Sequence, residues 1–401
     1  DYYSAGVNVL IDKFLPRRDW LNQLKWRGSW SVVGNPIPNT LFARQSYDFS
    51  NGTISTRPPL FDDPQPETTT SFETGLDVWM FENKFNFDLT YYNSTLRNQF
   101  LYVTTANGES KPVNTGKIRN YGLEFQASYR WNINKDWRWQ TGFNIAWNDN
   151  RILETYKTES GAPYEVQMGP NAFKIKYVEG GRYGDIYVNS FARDENGHIK
   201  INDAGNYENA VPVMASGKYE TKVGNMTSPV TLGWNNTFTW KNFTLYFLID
   251  GRIGGKVMSL TEADLDLYGL SERSAQDRLN GERVMQNGKE YILKPLPDGS
   301  GNKVSVENYY TTIGALPMED HVYNATSLRM RDISLSYDMP NLFGKNQGMT
   351  AQFSVKNAFF IYKDSPVDPD ISVSAANGYS GIDCYSLPTT RSFALTLKFN
   401  F

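Results

Sequence analysis

Asp364, Asp368 and Asp370 lie close together in a segment broken by Pro366 and Pro369. Carboxylate oxygens are the ligands that calcium takes, so this cluster is a candidate Ca²⁺ loop. Its spacing lacks the EF-hand pattern, and an acidic, solvated loop is the simpler reading. The run Asp194-Glu-Asn-Gly-His198, followed by Ile199-Lys-Ile201, has a fainter calcium-loop character. Asn-Gly between extended segments reads more simply as a tight hairpin turn. Tyr183, Tyr187, Tyr207, Tyr309, Tyr310 and Tyr379 offer ring faces on which a sugar could stack or a peptide pack. Packing within loops is the commoner use of such rings, and they do not by themselves assign a substrate.

Bond-breaking chemistry has no comparable signal. Serine, histidine and aspartate are present, but no G-x-S-x-G elbow accompanies them. The two histidines, His198 and His321, read as loop hydrogen-bonders and are too few for an ordinary zinc site. A single cysteine, Cys384, excludes an intrachain disulfide framework. The expectation is therefore a protein without catalytic residues or a firm cofactor. A net charge of −3 argues against a nucleic-acid partner.

The elements that must position these residues alternate with period 2. Tyr121, Leu123, Phe125, Ala127, Tyr129 and Trp131 share one face of a strand. That strand pairs through Asn132–Asp136 with one carrying Trp137, Trp139, Phe143, Ile145 and Trp147. Phe72–Phe81 and Phe85–Tyr91 flank Glu82-Asn83-Lys84, and Leu232–Trp240 and Phe243–Ile249 turn through Lys241-Asn242. Leu24–Val33 is an earlier strand of the same kind. Leu328–Tyr337 and Thr350–Asn357 form a last hairpin before Phe393–Phe401, whose Phe393, Leu395, Leu397, Phe399 and Phe401 share one face.

Strands of about 9–11 residues suit a tilted bilayer crossing. Short turns alternate with long stretches from Asp149 to about Val230 and from about Gly254 to Ser327, the asymmetry of outer-membrane barrels. Trp131, Trp137, Trp147 and Trp240 at strand ends fit an interfacial belt. Aromatics form 14% of the chain, and no apolar run is long enough for a membrane helix. Ser259–Arg283 reads as a helix within a long loop, with Leu260, Ala263, Leu267 and Leu270 on its apolar face. The polar positions Asp88, Thr90, Glu124, Gln126, Asn144, Thr396 and Lys398 are expected to face a lumen.

About eleven strands are legible, with no obvious closing partner for either end. The chain opens mid-pattern at Tyr3–Val9, without a Met or signal peptide. We therefore expect residues 1–401 to be the C-terminal portion of a larger antiparallel barrel, with the early strands lying upstream. A soluble β-sandwich binding module and a passive barrel or adhesin are the alternatives.

Several segments together resemble the C-terminal part of SusC/RagA-type TonB-linked (TonB-dependent) outer-membrane transporters. They are Leu24–Asn35, Glu67–Asp77, Gly116–Glu124 and Leu328–Tyr337, then Lys356-Asn-Ala-Phe359, Asp368-Pro-Asp370, Pro388-Thr-Thr-Arg391 and the closing strand. The resemblance implies an all-β transmembrane barrel of about 22 strands with short periplasmic turns and long extracellular loops. It implies import of oligosaccharides or peptides across the bacterial outer membrane, a SusD-like lipoprotein lid, and energy from the TonB-ExbB-ExbD complex. The plug domain and TonB box of that family are expected upstream of Asp1.

Overall fold

The computed structural model describes residues 2–36, 47–50, 53–56, 65–104, 110–114, 116–158, 161–168, 172–315, 318–345, 347–372 and 381–400. Eleven strands form one sheet in strict sequence order, each antiparallel to the next. They are β1 (Tyr3–Leu10), β2 (Leu21–Asn35), β3 (Glu67–Met80), β4 (Phe85–Arg97), β5 (Lys117–Asn132) and β6 (Trp137–Glu154). β7 (Val230–Trp240), β8 (Phe243–Ile253), β9 (Ser327–Gly344), β10 (Gln347–Lys363) and β11 (Ser392–Asn400) complete it. The outer edges of β1 and β11 carry no partner strand among the described residues.

Register separates the two faces. Tyr129, Thr141 and Asn236 sit in one rung, and Phe125, Ile145 and Leu232 in another, so the apolar sets of β5, β6 and β7 lie on one side. The pattern continues through Leu245, Leu335, Phe353 and Leu395 to the closing strand. On β11 this face is bare: Phe393 is 65% and Leu395 71% exposed. Three polar side chains on the apolar face are covered by indoles. The ring N–H of Trp26 donates to Thr74 at 2.9 Å, that of Trp139 to Asn236 at 3.0 Å, and that of Trp234 to Thr141 at 2.9 Å. In lipid such groups find no water, so internal partners are required.

The sheet's tight turns all lie at one end. Phe81, Glu82 and Asn83 take positive φ between β3 and β4, as does Lys241 between β7 and β8. The connections 36–66, 98–116, 155–229, 254–326 and 364–391 all leave from the other end. Most of the molecule's deeply buried apolar side chains belong to these connections rather than to the sheet. Phe173, Ile175, Ile186, Val188, Met258, Ala263 and Ile382 knit three of them into one cluster. Phe191, Ile199, Leu296, Val304, Tyr309, Tyr310 and Ile313 form a second. A third anchors them to the wall through Ile118 of β5 and Ile152 of β6, packed with Val113, Val166 and Tyr177. The described parts of 155–229, 254–326 and 364–391 thus form a folded cap with its own core.

The helix expected over Ser259–Arg283 is two. α1 (Leu260–Leu267) is capped by Ser259 and α2 (Glu272–Asn280) by Ser271. Gly269, at φ +65°, ends the first, and Glu282–Gln286 is already strand. The break turns Leu270 outward, 72% exposed, instead of onto an apolar helix face. Glycine in the left-handed region, followed at once by a new capping serine, explains the division. A third helix, α3 (Val306–Ala315), packs on α1 at Gly314, where a Cβ would lie 2.5 Å from the Leu267 backbone nitrogen.

Candidate functional site

The polar face carries ion pairs between neighbouring strands. Lys25 of β2 meets Asp77 of β3 at 2.6 Å, and Asp77 also accepts from the Trp79 indole at 2.8 Å. Arg27 grips Asp88 of β4 with both terminal nitrogens, one at 2.8 Å, and Thr90 donates to the same carboxylate at 2.9 Å. Register places Glu124, Gln126 and Asn144 on this face with Asp88 and Thr90. Thr396 and Lys398 lie opposite Gln352 and Thr350 on it. All seven expected lumen positions share one side. This wall can hydrogen-bond a polar solute at many points without committing to one chemistry.

At the cap end of β8–β10 the wall becomes a charged knot. Arg329 is 3% exposed and reaches Asp368 at 2.5 Å, Asp370 at 3.3 Å and Thr389 at 2.9 Å. Its guanidinium carbon lies 4.0 Å from the Phe360 ring centroid, a cation–π contact. Arg331 joins Asp250 at 2.6 Å to Asp370 at 2.7 Å, and Arg252 also binds Asp370. Burial alone would raise the Asp368 pKa. Hydrogen bonds from Thr389 and the Asp370 backbone, with the Arg329 charge, hold it below the usual carboxylate value. Beside the knot is an open pocket of about 490 Å³ edged by Thr261, Asn357, Phe360, Lys363, Asp383 and Arg391.

A second charged group lies inside the cap. Asp266 on α1 and His321 are fully buried, with His321 Nε2 2.8 Å from Asp266 Oδ2 and 2.9 Å from a terminal nitrogen of Arg273. Arg273 on α2 closes on the same carboxylate. Burial pushes the Asp266 pKa up, but bonds from His321, Arg273 and Ser271 outweigh it and leave it lowered. Nearby, burial pushes the Tyr309 and Tyr310 phenols well above their usual value. Lys294 Nζ sits over both rings, 3.9 and 4.7 Å from their centroids, and pairs with Asp277 at 2.7 Å.

The structure sorts the candidates read from sequence. Tyr309 and Tyr310 are each 3% exposed in the cap core and cannot reach a solute. Tyr183 stacks on Tyr177, 4.8 Å between centroids. Tyr187 lies beneath Lys176, and Tyr207 packs near Tyr291; both are part-buried. Tyr379 falls outside the described residues. Asp368 and Asp370 are committed to arginines while Asp364 is exposed, so the three do not converge on one point. No cluster of potential metal ligands occurs among the described residues. Asp194 closes a tight turn by accepting from the Asn196 and His198 amides, both at 2.9 Å. Cys384 is a free, part-buried thiol.

The arginines of the knot and the Asp266–His321–Arg273 group escaped sequence reasoning. The one legible signal of the knot is the alternation Arg329-x-Arg331 in β9, matched downstream by Asp368-Pro-Asp370.

A family profile described as TonB dependent receptor-like, beta-barrel matches residues 2–358. The chain is similar to TonB-dependent receptor P3 of Formosa agariphila, 23% identical over 444 residues covering 100% of this chain and 42% of that protein. It is also similar to TonB-dependent receptor SusC of Bacteroides thetaiotaomicron, 24% identical and covering 99% of this chain and 39% of that protein. The chain thus spans about two fifths of the length of these relatives. In fold it resembles the RagAB peptide transporter, with TM-score 0.71, 17% identity, and coverage of 100% of this chain and 43% of that one. The RagAB peptide importer in its open-open state gives TM-score 0.70 at 18% identity, with 100% and 42% covered.

Proposed function

The chain belongs to the TonB-dependent receptor-like β-barrel family, and from that premise we propose that it forms wall and extracellular cap of an importer for oligosaccharides or peptides. The family places it in the bacterial outer membrane. The eleven strands would supply half of a wall of about 22. A plug domain and TonB box would be supplied by sequence outside residues 1–401, and a SusD-like lipoprotein would cover the mouth. The outer membrane holds neither ATP nor a sustained ion gradient, so import would draw force from the TonB-ExbB-ExbD complex. This is transport rather than bond-breaking chemistry.

The observation that carries the reading is the division of the sheet into an apolar and an ion-paired face, topped by a folded cap. A lipid-facing wall needs the first and a wetted lumen the second. Within this chain, the pocket edged by Asn357, Phe360, Lys363 and Arg391 is a better solute contact than the loop tyrosines, because it is open and brings amide, ammonium and guanidinium groups together beside a part-buried ring. Similarity to a SusC protein and to a peptide transporter supports the two substrate classes equally.

Uptake by cells carrying the full-length gene tests the proposal. Deleting the gene should abolish growth on one oligosaccharide or peptide source, and a protonophore should stop uptake by the intact protein. Uptake that survives loss of the proton gradient would favour a passive barrel instead.

A further inference from the structure

Charge is almost absent from the apolar face of the sheet, with one exception. Following the register from the aromatic rungs toward the cap, Tyr91 and Leu123 are opposite, then Asn93 and Tyr121, Thr95 and Arg119, and finally Arg97 and Lys117. On the next strand, Tyr121 faces Asp149 and Arg119 faces Arg151. The charged side chains of the outward face are thus gathered at the cap ends of β4, β5 and β6: Arg97, Lys117, Arg119, Asp149, Arg151 and Glu154. The registers of β7, β8 and β11 place no charge on that side.

The acids in this group are already occupied. Asp149 accepts from the Tyr121 hydroxyl at 2.9 Å and pairs with Arg182 at 2.8 Å. Glu154 pairs with Lys117 at 2.9 Å. The remaining guanidinium groups have no carboxylate partner among the described residues. Arg119 donates to the Asn93 side-chain oxygen at 3.0 Å and lies over the Tyr121 ring; Arg151 donates to the Gly180 carbonyl at 3.2 Å. Like charges directly opposite on neighbouring strands repel. The Arg119–Arg151 rung, with Arg97 beside it, therefore favours an external anion.

Height along the wall says which anion. From Trp131, at the turn end of β5, to Tyr121 is ten residues, about 33 Å along the strand and about 25 Å along the membrane normal at a tilt of about 40°. That is the height of the apolar band between aromatic girdles, so Arg119 and Lys117 begin where lipid headgroups begin. We propose that Arg97, Arg119 and Arg151 form a docking surface for the phosphate groups of an anionic glycolipid in the outer leaflet. The surface rests on the outer-membrane reading but makes no contact with the transported solute. Guanidinium forks suit phosphate oxygens, and Tyr91, Tyr121 and Trp147 below them suit the top of an acyl chain.

The test uses the full-length transporter in detergent, with diphosphorylated lipid A as probe and native mass spectrometry to count retained lipid. Wild type should retain lipid A about tenfold better than the same lipid stripped of its phosphates. Arg97→Gln/Arg119→Gln/Arg151→Gln should remove that preference, whereas Arg130→Gln/Arg138→Gln on the opposite face should keep it. Equal retention of the two lipids by wild type would overturn the proposal without recourse to any variant. So would full retention by the triple variant, or displacement of lipid A by millimolar inorganic phosphate. Heat-modifiable migration on unheated gels, read separately, reports on the barrel, so its failure would count against the family reading rather than the lipid surface.

Discussion

Asp266 shows how a single carboxylate can hold a cap together. It is fully buried between α1, α2 and His321, and its hydrogen bonds keep its pKa below the usual value. A depressed acid contributes stability above its unfolded pKa, about 4, and that contribution is lost as pH falls through the folded value. The cap should therefore loosen below about pH 4 while the barrel stays intact, as proteolysis of the loops across an acid series would show. Asp266→Asn should loosen it already at neutral pH, by about 1–3 kcal/mol, because buried Ser271 and His321 and part-buried Arg273 all lose a charged partner. Unchanged proteolysis of the variant would remove the group from its structural role. Asp368 is the parallel case at the wall. Asp368→Asn should free the 364–391 segment from β9 by a similar amount, seen as faster hydrogen exchange in that segment alone. These groups were not legible in the sequence because their members are distant in the chain. Asp266 and His321 are 55 positions apart, and nothing local marks either as buried.

At the scale of elements, the wall strands were legible and the cap was not. Alternation over Tyr121–Trp147 or Phe393–Phe399 reports directly which side chains share a face, because the strand period is fixed at two. The cap draws its core from short strands of two to seven residues, from turns and from α3, a helix of ten residues, all too short for a period to register. The sequence reads α1 and α2 as one helix and does not show α3: the apolar spacing continues past Gly269, whereas backbone conformation there ends the first. Gly314 gives a check on that packing. Gly314→Val should push α3 off α1 at a cost of about 1–3 kcal/mol, appearing as increased exchange in both helices with β7 and β8 unaffected. Wall strands make a different forecast. Leu397→Arg on the apolar face should impair folding into bilayers by roughly 2–4 kcal/mol, while Thr396→Arg, facing Gln352, should be tolerated. Equal effects at the two positions would erase the inside–outside assignment.

For the whole molecule, the distribution of burial replaces the usual picture of a domain around one core. Apolar side chains are buried inside the cap and bare on the outer sheet face, where Phe393, Leu395, Leu397 and Phe399 are all exposed. Lipid is the solvent that makes both arrangements stable at once. The proposed importer, its lid and its phosphate-binding rim all depend on that orientation. The most direct test is site-directed spin labelling along β11 in the full-length protein, in a Cys384→Ser background reconstituted into bilayers. Labels at Leu395, Leu397 and Phe399 should be accessible to dissolved oxygen, and those at Ala394, Thr396 and Lys398 to a water-soluble nickel chelate, alternating with period two. Equal access of the chelate to both sets would contradict the membrane wall and return the chain to a soluble sheet.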